Sequence, residues 1–355
     1  MVLYNMIIYK KVFHLIKKPY KNYVLYRATR YAFLNRLLTS IRCNDILGET
    51  LSRPIMLACE TVNTCTNSCI ICPYEKMTRE KATMSIIMFE KVLHDYSAIG
   101  GGCLTLTPKN GEVFLDNLLE ERLVLLDKYP KIKYLSITTN AIPIDRFSDD
   151  PLRKILNYFD RIHISIYGLD PEEYSMMTRR DYYHRMISNI KRIIKFRNIN
   201  KTELLFGFRF LKSHSKNDID DWIKRNFEID IPYGYTDTYM DWNGALDERN
   251  ALPWVGNWKK RAQGDSHCLI PLILGMVYSN GDVSYCPCND FDICEEFKLG
   301  NINNKSLSEV FNSEKNMELW RSLPEKCVNC SSYRPMANFD NYSDLFEDPV
   351  KYIGG

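Results

Sequence analysis

Thr64-Cys65-Thr66-Asn67-Ser68-Cys69-Ile70-Ile71-Cys72-Pro73 spaces three thiols as C-x3-C-x2-C, with no fourth cysteine close behind. A structural zinc site closes with four ligands, and a cubane iron–sulfur cluster also normally takes four thiolates. Three ligands therefore leave one iron open, and an open metal position is where chemistry happens. The competing readings are a turn with three incidental thiols, or half of a zinc site completed elsewhere.

Outward from this stretch the chain alternates. Ile55 to Glu60 is a short apolar strand running straight into the cysteine loop. Downstream, Cys103–Thr107 reads as a strand, Phe114–Tyr129 as a helix and Tyr134–Asn140 as a strand. Arg161–Tyr167 follows as a strand, Tyr182–Arg197 as a helix, Leu204–Leu211 as a strand and Asp218–Phe227 as a helix. Tyr233–Met240 is the last strand. Repeated βα units predict a parallel sheet of about six strands.

The strand faces narrow the fold further. Ile162, Ile164 and Ile166 share one side, and His163, Ser165 and Tyr167 the other. Ser136, Thr138 and Asn140 oppose Leu135 and Ile137, and Thr105 and Thr107 oppose Leu104 and Leu106. Arg209 and Gly207 oppose Phe206, Phe208 and Phe210. A doubly wound sheet buries both faces and reads apolar throughout. One apolar and one polar face suits a barrel with helices outside and a wet lumen, whose ligands sit at the C-terminal strand ends. That puts Thr107, Asn140, Ser165 and Arg209 near the site. An α+β protein with one solvated sheet face is the alternative.

Composition sets the outer limits. The 355 residues allow one large domain or a large and a small one. A net charge of +3 carries no strong nucleic-acid footprint, and 45% apolar with 26% charged residues is ordinary for a soluble chain. Twelve cysteines without a signal peptide argue for metal binding in a reducing, cytoplasmic setting. No apolar run is long enough to span a bilayer. Residues 1–50 form a basic extension (Lys10, Lys11, Lys17, Lys18, Lys21, Arg27, Arg30, Arg36 and Arg42) with no acidic residue before Asp45. We expect a solvated helix packed on the barrel; contact with an anionic membrane surface or a phosphorylated substrate is the other reading.

These motifs, taken in order, resemble the radical S-adenosylmethionine (radical SAM) superfamily over roughly residues 52–245. The resemblance implies a partial (β/α)6 barrel, with the cysteine loop after the first strand and Cys65, Cys69 and Cys72 holding a [4Fe-4S] cluster whose open iron chelates SAM. The family's Gly-Gly-Glu motif corresponds to Asn110-Gly111-Glu112, where Asn110 departs from the pattern. By resemblance, Gly111 and Glu112 lie at the SAM amino group, and Asn140 and Ser165 near SAM. Arg179 or Arg180 approaches the SAM carboxylate, with Arg179 the candidate. Ile71 stands where an aromatic often precedes the third cysteine, which weakens the adenine contact and not the cluster.

Cysteines return after an irregular linker: Cys268, Cys286, Cys288, Cys294, Cys327 and Cys330. Asn280-Gly281-Asp282 reads as a hairpin turn between Leu272–Ser279 and Val283–Tyr285. Cys268, Cys286, Cys327 and Cys330 give four thiolates, enough for a closed cluster or for zinc. The pattern resembles the auxiliary-cluster extensions called SPASM and twitch domains. Having no cysteine after Cys330, it looks like the shorter twitch type with one [4Fe-4S] cluster, and is similar in spacing to the 2-deoxy-scyllo-inosamine dehydrogenase type. Cys288 and Cys294 read as spectators, replacement of an assigned ligand by one of them being the alternative, and Cys43, Cys59 and Cys103 read as small buried apolar residues. The expected domains are 1–50, a barrel over 51–245, linker and auxiliary module over 246–335, and a tail over 336–355.

The resemblance implies an oxidoreductase in which SAM cleavage yields a 5′-deoxyadenosyl radical that abstracts hydrogen from a polar substrate. The expected reaction is dehydrogenation of a carbohydrate- or cyclitol-like alcohol, with an external electron donor such as flavodoxin or ferredoxin. His163, Arg209, Asp237 and Asp241 are candidate substrate contacts, and no residue is assigned as the catalytic base. A peptide-modifying maturase shares all the cysteines, although the first 50 residues are short for the leader-binding domain such enzymes usually carry. A zinc-stabilised binding module is the non-enzymatic alternative.

Overall fold

The computed structural model describes residues 53–236, 239–242, 244–246, 268, 270–321, 324–328, 330 and 332–333. The basic extension, most of the linker, the tail and Asp237 lie outside these residues.

The first strand, β1 (Met56–Cys59), is buried along its whole length. After the cysteine loop, α1 (Ile86–Ala98) starts at Ser85, whose hydroxyl accepts from Met88 N at 3.2 Å. The chain then runs through β2 (Gly102–Thr105), α2 (Leu119–Leu126), β3 (Ile132–Thr139), α3 (Asp149–Leu156) and β4 (Arg161–Tyr167). Two helices follow, α4 (Pro171–Thr178) and α5 (Tyr183–Phe196), then β5 (Glu203–Arg209), α6 (Lys216–Phe227) and β6 (Tyr233–Thr236). Every neighbouring pair from β1 to β6 is parallel. The expected βα rhythm is thus the observed one.

The helix expected over Phe114–Tyr129 is broken. A 3-10 turn at Val113–Leu115 precedes α2, because Asp116 turns the chain: its carboxylate accepts from Leu118 N at 2.9 Å and from Arg122 Nε at 2.7 Å. The last barrel strand is described over Tyr233–Thr236, and Tyr239 and Met240, expected in it, are not strand.

The outward faces form the core, as the alternation required. Ile162, Ile164 and Ile166 are fully buried. Phe208 packs edge-on against Trp222 of α6 at 5.4 Å, and Phe206 against Phe227 at 5.4 Å.

The C-terminal part comprises α7 (Ile270–Ile273), β7 (Leu274–Val277), β8 (Asp282–Ser284), β9 (Lys298–Asn301), α8 (Leu307–Phe311), α9 (Glu314–Arg321) and α10 (Glu325–Val328). β7 and β8 pair antiparallel around the Asn280-Gly281-Asp282 turn, where Gly281 takes a φ of 86°. The module is joined to the barrel by backbone: β7 pairs parallel with β1, from Met56 opposite Leu274 to Cys59 opposite Val277. The described strands make one sheet, ordered β6-β5-β4-β3-β2-β1-β7-β8-β9.

Candidate active site

The cysteine loop is held by its neighbours rather than by secondary structure of its own. Ser68 N donates to Thr178 O at 3.1 Å and Ile70 N to Met177 O at 2.9 Å, anchoring the loop to the end of α4. Cys65 N donates to Tyr74 Oη at 3.0 Å, and Cys72 N to Cys69 O at 3.0 Å. Arg180 donates to Thr66 O at 3.3 Å and to Ser68 Oγ at 3.2 Å. Trp242 Nε1 donates to Ile71 O at 2.9 Å.

This folding brings Cys65, Cys69 and Cys72 to one cavity of about 620 Å³ at the C-terminal ends of the strands. Thr107, Asn140, Ser165 and Arg209 line the same cavity, where barrel geometry puts ligand-facing residues. Gly111 and Glu112 also line it, whereas Arg179 does not. Arg179 is the left-handed residue that ends α4 at a φ of 56°. Of the two arginines, Arg180 is the one that touches the cysteine loop.

Each thiol meets a polar side chain. Asn110 Nδ2 lies 3.3 Å from Cys72 Sγ, and Asn140 Nδ2 3.7 Å from Cys65 Sγ. Tyr167 hydrogen-bonds Cys69. Burial nevertheless dominates: it pushes the Cys69 thiol up to about 12, with neighbouring Cys72 adding to the rise. Cys65 is raised well above its ordinary value, and Cys72 is raised too, by burial first. Without a cation these groups stay protonated; a bound metal centre supplies the positive charge that three close thiolates need. The donor set thus fits an iron–sulfur cluster with three protein ligands.

Glu112 is buried and engaged. Its carboxylate accepts from Thr139 Oγ1 at 2.7 Å, Asn140 N at 2.7 Å and Phe114 N at 3.2 Å. It ties the loop after β2 to the end of β3. Burial pushes it up to about 7 against those three bonds. Gly111 beside it has no room for a side chain: a Cβ would lie 2.7 Å from Val62 O.

Arg209 donates to Ser165 Oγ at 3.1 Å and stands over the Tyr167 ring. His163 is not among the residues lining the cavity. It fills the space left by Gly207, where a Cβ would come within 2.2 Å of His163 Nε2. Burial, then Arg209 and Arg161, push its imidazole down to about 3, so it is neutral. Thr105 sits behind the lining, bonded to Thr107 Oγ1 at 2.9 Å. Asp241 lies near Cys330 and outside the lining.

The second cysteine set lies within the auxiliary module. Cys268, Cys286, Cys327 and Cys330 are all buried. Cys327, Cys268 and Cys286 surround Tyr285, whose hydroxyl burial and those thiols push up. Asn289 joins the other side, with Nδ2 2.7 Å from Cys330 Sγ and its backbone N 3.4 Å from Cys286 Sγ. Cys288 acts electrostatically on both Cys286 and Cys330 and lines the main cavity as well. Cys294 faces Lys326 instead.

The two cysteine regions are clamped together. Buried Glu60 takes Arg79 at 2.7 and 3.2 Å, Lys109 N at 3.1 Å and Ser279 Oγ at 3.2 Å. Arg79 Nε continues to Phe291 O at 3.0 Å, and Asp292 accepts from Thr78 N at 2.8 Å. Lys109 Nζ, 4.6 Å from the Trp242 ring centre, donates to Pro287 O at 2.9 Å and to Cys288 O. Lys109, Trp242 and Tyr167 belong to no site motif in the sequence; a cation directly before Asn110-Gly111-Glu112 is the one local signal, for Lys109.

Comparison with known proteins matches this arrangement. Residues 59–221 match the Radical SAM superfamily model, and residues 268–331 match the SPASM iron–sulfur cluster-binding domain. The chain therefore carries a radical SAM domain followed by a SPASM domain. It is an iron–sulfur enzyme, which displaces the zinc-scaffold reading, and its cofactors are SAM, a SAM-binding [4Fe-4S] cluster and auxiliary iron–sulfur. Among solved structures it is similar to BtrN in complex with AdoMet and 2-DOIA, with a TM-score of 0.52 at 16% identity over 81% of this chain and 98% of that one. It is also similar to Streptococcus suis SuiB bound to precursor peptide SuiA, with a TM-score of 0.57 at 18% identity over 89% of this chain and 78% of that one. These likenesses establish a common fold. A probable GTP 3',8-cyclase of Methanothermobacter thermautotrophicus is 30% identical over 142 residues, 39% of this chain and 44% of that protein. The chain thus matches less than half the length of that relative. Among the described residues, no helix is long and apolar enough to cross a membrane.

Proposed function

We propose that the chain is a SAM-radical dehydrogenase of a polar, alcohol-bearing substrate of the carbohydrate or cyclitol class. In this reading Cys65, Cys69 and Cys72 ligate the SAM-binding cluster, and Cys268, Cys286, Cys327 and Cys330 the auxiliary one. Gly111, Glu112, Asn140 and Ser165 lie toward SAM, with Arg179 a remoter candidate. Together the cluster and SAM supply one-electron chemistry and hydrogen abstraction.

One observation carries the proposal: a single cavity is lined by the first cysteine set and by Pro287 and Cys288 beside the second. Dehydrogenating an alcohol removes two electrons. An auxiliary cluster held by the cysteines beside Pro287 and Cys288 would be the acceptor for the second electron. Thr107, Ser165 and Arg209 give the cavity wall hydroxyls and a cation suited to a hydroxylated substrate. The similarity to SuiB with its precursor peptide supports a second reading, modification of a peptide.

Anaerobic reconstitution tests the first reading. We expect about eight irons per chain for two cubane clusters, with low-potential reductant driving SAM cleavage. Cys65→Ala should roughly halve the iron and abolish SAM cleavage. Cys327→Ala should roughly halve the iron and leave SAM cleavage in place. Incubation with cyclitols and aminosugars should yield a ketone product matched to 5′-deoxyadenosine. A product formed only from a peptide would replace the dehydrogenase reading with the second.

A further inference from the structure

We propose that Asn110 is a positioning residue for the cluster held by the cysteine triplet: its carboxamide donates to the Cys72 sulfur and sets the potential at which that cluster accepts an electron. The proposal rests on the assignment of the triplet as cluster ligands. It goes beyond that assignment, because the family motif has glycine at this position and glycine has no side-chain donor.

The geometry is specific. Asn110 is 1% exposed, its Nδ2 lies 3.3 Å from Cys72 Sγ, and its Oδ1 is buried without a partner. Exchanging the amide atoms would set an acceptor against the sulfur and orphan a donor instead, so the sulfur fixes the orientation. A buried carbonyl without a partner gives up its bond to water with nothing in exchange. A neutral thiol, a weak acceptor, returns little of that. The balance changes when Cys72 is a thiolate, because a hydrogen bond to an anion is roughly twice as strong.

The donor is also rigidly presented. Glu112 N bonds Thr64 O at 2.8 Å, and Gly111 lies so close to Val62 that a Cβ there would come within 2.7 Å of its carbonyl oxygen. On the other side, Lys109 is pinned to Glu60 and to Pro287 O. Asn110 is therefore held between the cysteine loop and the auxiliary module. The other two sulfurs have their own polar neighbours, Asn140 and Tyr167, so only the Cys72 contact depends on this residue.

The electron balance gives the direction. A reductant, dithionite or a low-potential flavodoxin or ferredoxin, adds one electron and hence one negative charge to the cluster. A donor on a ligand sulfur stabilises the more negative, reduced form and raises the potential. Without the bond the reduced form is less favoured.

The test is a potentiometric series followed by electron paramagnetic resonance on the full chain with both cysteine sets loaded. The relevant signal is the one that changes when SAM is added. Asn110→Gly should move its midpoint to more negative potential. At the wild-type midpoint, the reduced-to-oxidised ratio should fall about fivefold, the equivalent of one net hydrogen bond. Asn110→Asp, which keeps the shape and loses the donor, should move it the same way and further. The SAM-insensitive signal should stay in place. An unchanged midpoint in either variant with full iron content overturns the proposal. So does failure of both variants to take up iron, which would make Asn110 structural. Absence of any SAM-responsive signal from the wild type would instead overturn the cluster assignment.

Discussion

Gly207 and His163 occupy one space between β4 and β5, and each residue explains the other. Gly207→Ala would push a methyl group to within 2.2 Å of the imidazole. We expect a loss of about 1–3 kcal/mol, partly recovered in the double variant with His163→Ala; a denaturation double-mutant cycle measures the coupling. His163 also carries a pH signature. Its pKa near 3 in the folded protein lies below the 6.5 of the unfolded chain. Between these values the unfolded chain holds a proton that the folded chain lacks. Stability is therefore full above 6.5 and declines as pH falls through that window. His163→Gln should flatten the decline between pH 7 and 5, and an unchanged slope in anaerobic denaturation would refute this. Alternation along β4 put His163 on the correct face but made it a substrate contact. Side-chain parity reports the face of a strand, not the depth along it, and His163 lies two residues before the cavity-lining Ser165.

At the scale of elements, the segment after the cysteine loop is fastened to the auxiliary module by Arg79. The Arg79–Glu60 pair is almost fully buried. Removing one partner of such a pair leaves an uncompensated charge, at a cost of about 3–5 kcal/mol. Arg79→Ala should lower the melting temperature and loosen both cysteine regions, seen as faster loss of iron to a chelator. Arg79→Lys keeps a charge but loses the two-pronged contact, and should fall between the two. Iron release at the wild-type rate from Arg79→Ala would show that the clamp does not hold the clusters. Local signals made most strands and the helices α5 and α6 legible, because apolar period and turn residues are written within a few positions. The break before α2 was not legible, since Asp116 overrides an otherwise helical stretch. Nor was the clamp, whose partners lie far apart in the chain and carry no mark of each other.

For the whole molecule, the parallel pairing of β1 with β7 is decisive. The amino-acid pattern separates a barrel from a cysteine-rich module, and the two are indeed distinct in composition. Their sheet is nevertheless shared. The N-terminus of α8 adds to the union, with Leu307 N donating to Asp95 of α1 at 3.2 Å. Barrel and module should therefore unfold in one transition, with calorimetric and van't Hoff enthalpies in agreement. A chain ending at residue 246 would leave the β1 edge unpaired and prone to aggregation; a soluble, cooperatively melting fragment would contradict that. The cysteine triplet was legible because metal spacing is local. The route from one cysteine set to the other was not, because it runs across a strand pairing. That pairing also bears on biosynthesis. β1 leaves the ribosome long before β7 exists, so the first strand and the thiols directly behind it must wait about 200 residues, until Val277, for that partner. During that interval they are open to oxygen, to stray metals and to other unpaired strands. The cavity is complete only once residues 270–333 have joined its lining, which makes the emergence of the auxiliary module the natural moment for iron delivery.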